Sequence, residues 1–407
     1  MNKYESQPWA LPEGIDMEKN VIATYYCSIP KDYDMLDIGA FMAVEQSTGT
    51  WVPVPGETPE VRSKHVAKVI GVYEAPYYEW GVPENITERQ YIVQIAFPSA
   101  NFEDKFSMLL TATVGNISMI PNLKVIDLRI PKETLKGYQG PKFGIDGWYE
   151  ALGMEKGRPL LNNMIKPCSG YPLEVGVDLF YKAALGGCDV IKGQVYEETG
   201  EHTLYCVNVT DRLPRMFEVA KRVVEAGANA MMVNYIAVGH EAMRALAEDP
   251  DINVPILAHM DVAGAYFMSP NQGISSPLIL GKTARMCGAD AVVIPFAQGG
   301  KGIYMPDRFK QSVNCMVYPF GDLKPTLPMP SGGITPANVA DAVNSMGKDI
   351  MIGSGGGIHA HPQGPTAGAK AFRQAIDAAL KGIPLEEYAK DNEELGRALG
   401  LWGKKTE

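Results

Sequence analysis

Paired cysteines are missing from this chain. Its six cysteines stand singly at positions 27, 168, 188, 206, 287 and 315, so reduced thiols and a cytoplasmic protein are expected. Basic clusters are missing as well: a net charge of −10 with no Lys/Arg run argues against nucleic acid and anionic membranes as partners. No apolar run reaches membrane-spanning length, and the opening Met-Asn-Lys-Tyr-Glu-Ser-Gln-Pro-Trp lacks the apolar core of a signal peptide. What is present has an enzyme-like composition, 46% hydrophobic and 21% charged, with 42 glycines and 30 prolines. Glycine that abundant without a repeat fits many tight strand–helix turns. At 407 residues the chain suits two domains, the larger of barrel size.

Strand signals dominate from Val21 to about Arg129, at 22–29, 69–74, 90–97 and 123–129, with helical patterns at Met35–Glu45 and Phe102–Val114. That mixture predicts an N-terminal α+β domain of ferredoxin-like type, over residues 1–145. Residues 131–159 read as a connection. Beyond Leu160 the pattern alternates, with strands expected at 162–167, 188–192, 203–209, 230–236, 254–260, 290–296, 326–331 and 349–353. Helical patterns fill most of the gaps, at 173–185, 214–225, 241–248, 278–286, 307–315, 337–346 and 367–380. Eight strands with intervening helices predict an α/β fold, a C-terminal (β/α)8 TIM-type barrel over residues 146–407. Only eleven residues separate Lys192 from Leu204, so the second unit is expected to be truncated.

Two apolar runs end in lysine, at Lys166 and Lys192, and so predict two ammonium groups at neighbouring strand ends. Such a lysine can hold an electrophile, act as a base when desolvated, contact phosphate, or form a structural ion pair. Ser331-Gly332-Gly333 and Gly355-Gly356-Gly357 follow the seventh and eighth strands, where barrels bind phosphate through backbone N–H groups. His259 ends the fifth strand on the same face and can serve in proton transfer, although a lone strand-end histidine is more often simply hydrogen-bonded. His359 and His361 have only weak metal-ligand spacing. Gln298–Gly302 reads as a loop with a cationic tip at Lys301, able to close over an anion. Glu45-Gln46-Ser47-Thr48-Gly49-Thr50-Trp51 is, locally, a turn.

Together these segments resemble the large chain of ribulose-bisphosphate carboxylase and its non-carboxylating, RuBisCO-like relatives, over nearly the whole chain. Glu45–Trp51 resembles the family's N-domain active-site motif and Val114-Gly115-Asn116 its substrate-contacting asparagine. Met164-Ile165-Lys166-Pro167 resembles the motif of the proton-abstracting lysine, and Gly187–Lys192 that of the lysine carbamylated to hold Mg²⁺. The resemblance implies catalytic roles for Lys166, Lys192, His259, Lys301, Asn116 and Glu45. It implies substrate or phosphate contacts at Thr50, Trp51, Ser331, Gly332, Gly333, Gly355 and Gly356. It further implies a homodimer, or a multiple of dimers, whose active site is shared between subunits.

The departures bear on function. The acidic pair that completes the family's Mg²⁺ site after the strand-two lysine is absent: Gly193, Gln194 and Val195 follow Lys192, and the candidate ligands left beside a carbamylated Lys192 are Glu197 and Glu198, which do not match the register. The second phosphate site has Met260 and Val293 in place of an arginine and a histidine, and Cys168 replaces the second lysine of the strand-one motif. One phosphate grip is kept and the other lost. The expectation is therefore no carboxylase, but enolisation or isomerisation of a sugar-derived carbonyl monophosphate by Lys166, with Mg²⁺ doubtful. Two further readings stand beside it: transcarboxylation with hydrolysis, or decarboxylation, of a branched oxo-sugar-acid phosphate, and an inert binder of a phosphorylated metabolite.

Overall fold

The structure is a computed structural model that describes residues 7–50, 52, 54–189, 203, 204, 206–297 and 304–403. It contains two compact units. One comprises Met1–Gln139, Val262–Ile279 and Gly321–Leu323, and the other Gly140–Asp261, Leu280–Phe320 and Lys324–Glu407. None of the six cysteines is in a disulfide. Among the described residues, no helix is long and apolar enough to cross a membrane.

In the first unit, strands β1 (Asn20–Pro30), β2 (Lys68–Glu74), β3 (Glu88–Pro98) and β4 (Leu123–Arg129) form a sheet in the order β2-β3-β1-β4. Helix Met35–Glu45 follows β1 and helix Phe106–Thr113 follows β3, which gives the β-α-β-β-α-β order of ferredoxin-like domains. Val21, Ala23, Tyr25 and Cys27 of the central β1 alternate into the core. A two-residue strand, Gly273–Ile274, extends the sheet beside β4 in parallel. No local pattern announces it, because its pairing joins segments far apart in the chain.

The second unit is built on a parallel sheet of β5 (Leu160–Asn163), β6 (Cys206–Asn208), β7 (Ala230–Val233), β8 (Ile256–Ala258), β9 (Ala291–Pro295), β10 (Leu327–Ser331) and β11 (Met351–Ser354). Its order is β5-β11-β10-β9-β8-β7-β6. The two edges meet through Asp189, whose N–H donates to Leu161 O (2.9 Å) and whose carbonyl accepts from Leu204 N (2.8 Å). This is the α/β barrel. Of the strand expected at 188–192, residues 190–192 lie outside the described residues, as does the short link to 202.

The Asp189 carboxylate, 4% exposed, shows why the closure holds. It accepts from Leu161 N (2.7 Å) and pairs with both Arg158 and Arg373. Three charge-assisted partners offset its removal from water. Strand one ends at Asn163 rather than at 167. The stretch 131–159 is more than a connection. Helix Gly144–Ala151 packs Ile145, Trp148 and Tyr149 against Leu160, Ala230, Leu257, Ala291, Leu327 and Met351. Those contacts fall at the strand starts, so the helix plugs the barrel's N-terminal end and leaves the opposite end for chemistry.

Candidate active site

Within the barrel unit, Lys166 lies three residues beyond the end of β5, exposed, with Nζ 2.8 Å from Cys168 Sγ. Met164 N donates to Ser354 O (2.9 Å), which ties this segment to the end of β11. Gly355 follows, and its missing side chain makes room for Lys166: a Cβ there would sit 2.7 Å from Met164 O and 2.8 Å from Lys166 Cε. Ser331, buried at the end of β10, approaches Met164 Sδ at 3.9 Å through Oγ. Gly332 and Gly333 then turn with φ of 93° and 75°, a region open to glycine without cost.

Lys166 and both glycine turns therefore share the C-terminal end of the barrel. The amides of Gly332, Gly333, Gly355 and Gly356 donate to no acceptor among the described residues. Such amides suit an anion. Gly355→Ala should push Lys166 aside and cost about 1–3 kcal/mol of stability, with turnover falling at least about tenfold. Urea unfolding and steady-state rates would check both effects.

The opposite wall is different. Val293 is buried inside the barrel and Met260 packs against the same core, so neither place offers a phosphate contact. His259 follows β8, four places from β5 in the sheet order, and its N–H donates to Val233 O (2.8 Å). Its Nδ1 lies 3.1 Å from Asp261 Oδ2, off the direction of a good hydrogen bond, and finds no other partner among the described residues. Asp261 Oδ2 also accepts from Asn234 Nδ2 at 2.5 Å. Thr210 Oγ1 lies 3.1 Å from Asn234 Oδ1 and accepts from Asn234 N (2.9 Å). Asp261, Asn234 and Thr210 were not singled out in the sequence. Asp261 stands two residues after His259, which is a usable signal only once the strand end is known.

His361 and His359 differ in what their rings meet. His361 Nε2 donates to Glu394 O (3.0 Å) and its Nδ1 accepts from Gln363 N, which leaves no nitrogen for a metal. His359 Nε2 meets Asn163 Oδ1 at 2.9 Å, and burial, with the nearby charge of Lys166, holds its ring below the usual imidazole range. Among the described residues, no three His, Cys, Asp or Glu side chains converge as a metal-ligand set. Lys192, Glu197, Glu198, Lys301 and Trp51 lie outside the described residues.

In the first unit, Asn116 Nδ2 donates to Glu45 Oε1 (3.1 Å) and Asn116 N to Gln46 Oε1 (3.1 Å), so these two predicted site residues do meet. Glu45 is the last residue of helix Met35–Glu45, and the turn after it closes with Gly49 (φ 74°) donating to Val44 O. The helix's own C-cap is Gln46 (φ −90°), so Gly49 belongs to the turn beyond it. Thr50 follows, its hydroxyl donating to Val52 O (2.7 Å).

Comparison with known proteins agrees with this architecture. The family model described as the ribulose bisphosphate carboxylase large chain, N-terminal domain, matches residues 13–134, and that for the catalytic domain matches residues 193–402. A ribulose bisphosphate carboxylase-like protein of Archaeoglobus fulgidus is 53% identical, over 98% of this chain and 97% of its own. A 2,3-diketo-5-methylthiopentyl-1-phosphate enolase of Geobacillus thermodenitrificans is 35% identical, over 94% and 98%. Among solved structures, the sulfate complex of the octameric ribulose-1,5-bisphosphate carboxylase/oxygenase of Pyrococcus horikoshii superposes with a TM-score of 0.88, at 29% identity and 98% coverage of each chain. The chain belongs to the ribulose bisphosphate carboxylase large-chain family, as one of its RuBisCO-like enzymes.

Proposed function

We propose that this enzyme enolises a sugar-derived carbonyl compound carrying one phosphate, with Lys166 taking the proton α to the carbonyl. The observation that carries this reading is the packing of Lys166 against Gly355, beside four backbone amides that have no acceptor among the described residues. A phosphate held by those amides would anchor the substrate next to the amine. Lys166, in its amine form, takes the proton. The C–H electron pair becomes the new C=C bond, and the carbonyl oxygen gathers the charge. The relative named as a 2,3-diketo-5-methylthiopentyl-1-phosphate enolase supports the same substrate class, a carbonyl monophosphate.

Ser331, Gly332, Gly333, Gly355 and Gly356 bind the phosphate. Asn116, Lys192 and Lys301 are assigned to the enolate's charge, where aligned donors contribute most. Glu45, Thr50, Trp51 and Asn116 are assigned to a partner subunit's site in a homodimer or a multiple of dimers, in keeping with an octameric relative of this fold. Lys192, Glu197 and Glu198, the residues that would hold Mg²⁺, lie outside the described residues; an ion bound there would polarise the substrate's carbonyl oxygen.

Losing a charge-assisted contact forfeits about 1.5–3 kcal/mol per hydrogen bond, so Met260 and Val293 should make a second phosphate worthless. Calorimetric titration with a ketose 1-phosphate and with its 1,5- or 1,6-bisphosphate tests this. Affinities within about threefold are expected; a bisphosphate bound more than about tenfold tighter contradicts it.

A further inference from the structure

We propose that Asp261 is a positioning residue for catalysis: through Nδ1 of His259 it fixes the ring so that Nε2 can hand a proton to the substrate's carbonyl oxygen while Lys166 removes the α proton. The inference rests on the proposed enolisation and assigns its second proton transfer.

Three observations support it. First, His259 follows β8 and Lys166 follows β5, four places apart in a closed ring of strands, so the two groups stand on opposite walls of the barrel's mouth. An acid facing a base across the bound carbonyl is the arrangement that enolisation needs. Second, His259 Nδ1 is buried with no hydrogen-bond partner among the described residues, and an Asp261 carboxylate oxygen lies 3.1 Å from it. A carboxylate can only accept, so a bond to it requires the proton on Nδ1. Third, Asp261 is itself held, since Asn234 donates to the same oxygen and Thr210 holds Asn234 from the end of β6. The next residue, Val262, is β-branched yet has a φ of 73°. Left-handed backbone at such a residue is an outlier of the kind concentrated at functional sites.

The proton balance closes. Histidine starts as the imidazolium paired with Asp261, and Lys166 as the amine. The C–H bond breaks, the carbonyl π pair takes the Nε2 proton, and the products are the enol, neutral His259 with its proton on Nδ1, and the Lys166 ammonium.

The test has two arms. In ¹⁵N-labelled protein at a pH where the ring is neutral, the His259 resonances (assigned with His259→Gln) should show the proton on Nδ1, and Asp261→Asn should move it to Nε2. In turnover of a ketose 1-phosphate, Asp261→Asn should lower kcat by about 10² or more with KM within about twofold, and Asp261→Glu should recover part of the loss. Wild-type His259 with its neutral-ring proton on Nε2 overturns the proposal, as does an Asp261→Asn enzyme within about threefold of wild type in kcat. An Nδ1 proton that depends on Asp261, in a protein that turns over none of the phosphates, counts against the enolase reading alone.

Discussion

Replacing Lys166 by methionine is expected to slow exchange of the α proton by about 10²–10⁴-fold, the usual contribution of a positioned general base. Phosphate binding should change by less than about threefold. Methionine keeps much of the side chain's length and apolar character but offers no nitrogen. Lys166 is exposed and its described hydrogen bond goes to Cys168, so the fold does not lean on its charge. Arginine at the same place should fail equally, because a guanidinium stays charged and cannot accept the proton. A Lys166→Met enzyme that exchanges at the wild-type rate would move the base elsewhere, and the next group to examine would be His259.

Removing Asp290 should unfold the barrel far more readily than any change at the site. Its carboxylate, 1% exposed, accepts from Phe143 N and Gly144 N through Oδ1 (2.7 Å each) and from Ile256 N through Oδ2 (2.9 Å). It pins the start of the plugging helix to two neighbouring strands. Alanine would strand three buried amides, a loss of about 3–5 kcal/mol at pH 7. Asparagine would turn its NH₂ toward the Ile256 amide, at about 1–3 kcal/mol. Burial pushes the Asp290 carboxyl up to about 6, against the pull of the three amides and Lys324. In the unfolded chain it titrates near pH 3.9. Between those values the unfolded chain gives up this proton while the folded one keeps it. Asp290's proton-linked contribution is therefore full below about pH 4 and lost as pH rises through about 6, roughly 3 kcal/mol in all. Urea unfolding at pH 4.5 and 7 should show that slope in wild type and not in Asp290→Asn. Equal slopes in the two proteins would mean that Asp290 titrates normally.

Much of this arrangement was legible in the sequence because local patterns and tertiary structure agree. Helices Met35–Glu45 and Leu173–Leu185 and strand Leu123–Arg129 fall on their predicted spans, since apolar periodicity and turn chemistry point the same way. The family resemblance assigned both Glu45 and Asn116 to the site, and their side chains meet although they lie seventy-one positions apart. What escaped depends on partners distant in the chain. Helix Gly144–Ala151 looked like a linker because two glycines interrupt its pattern, yet the barrel floor supplies the apolar surface that makes it stable. Asp189 read as part of a strand, and the two arginines that make it a closure pin come from before β5 and from the last long helix, Pro365–Lys381. Asp261 was passed over for the same reason, since its neighbours Asn234 and Thr210 come from other strand ends.

The central claim is that Lys166 and one phosphate grip make an enolising enzyme. It is tested most directly by NMR of proton exchange in D₂O, with ketose 1-phosphates, a methylthio-ketose phosphate and oxo-sugar-acid phosphates, each with EDTA and with Mg²⁺. The account predicts deuterium entering at the carbon next to the carbonyl of at least one monophosphate, no such incorporation with Lys166→Met, and exchange that persists in EDTA. Tight binding across the panel without exchange under either condition would contradict it and leave an inert binder. Release of a one-carbon product would contradict it in favour of carbon–carbon cleavage.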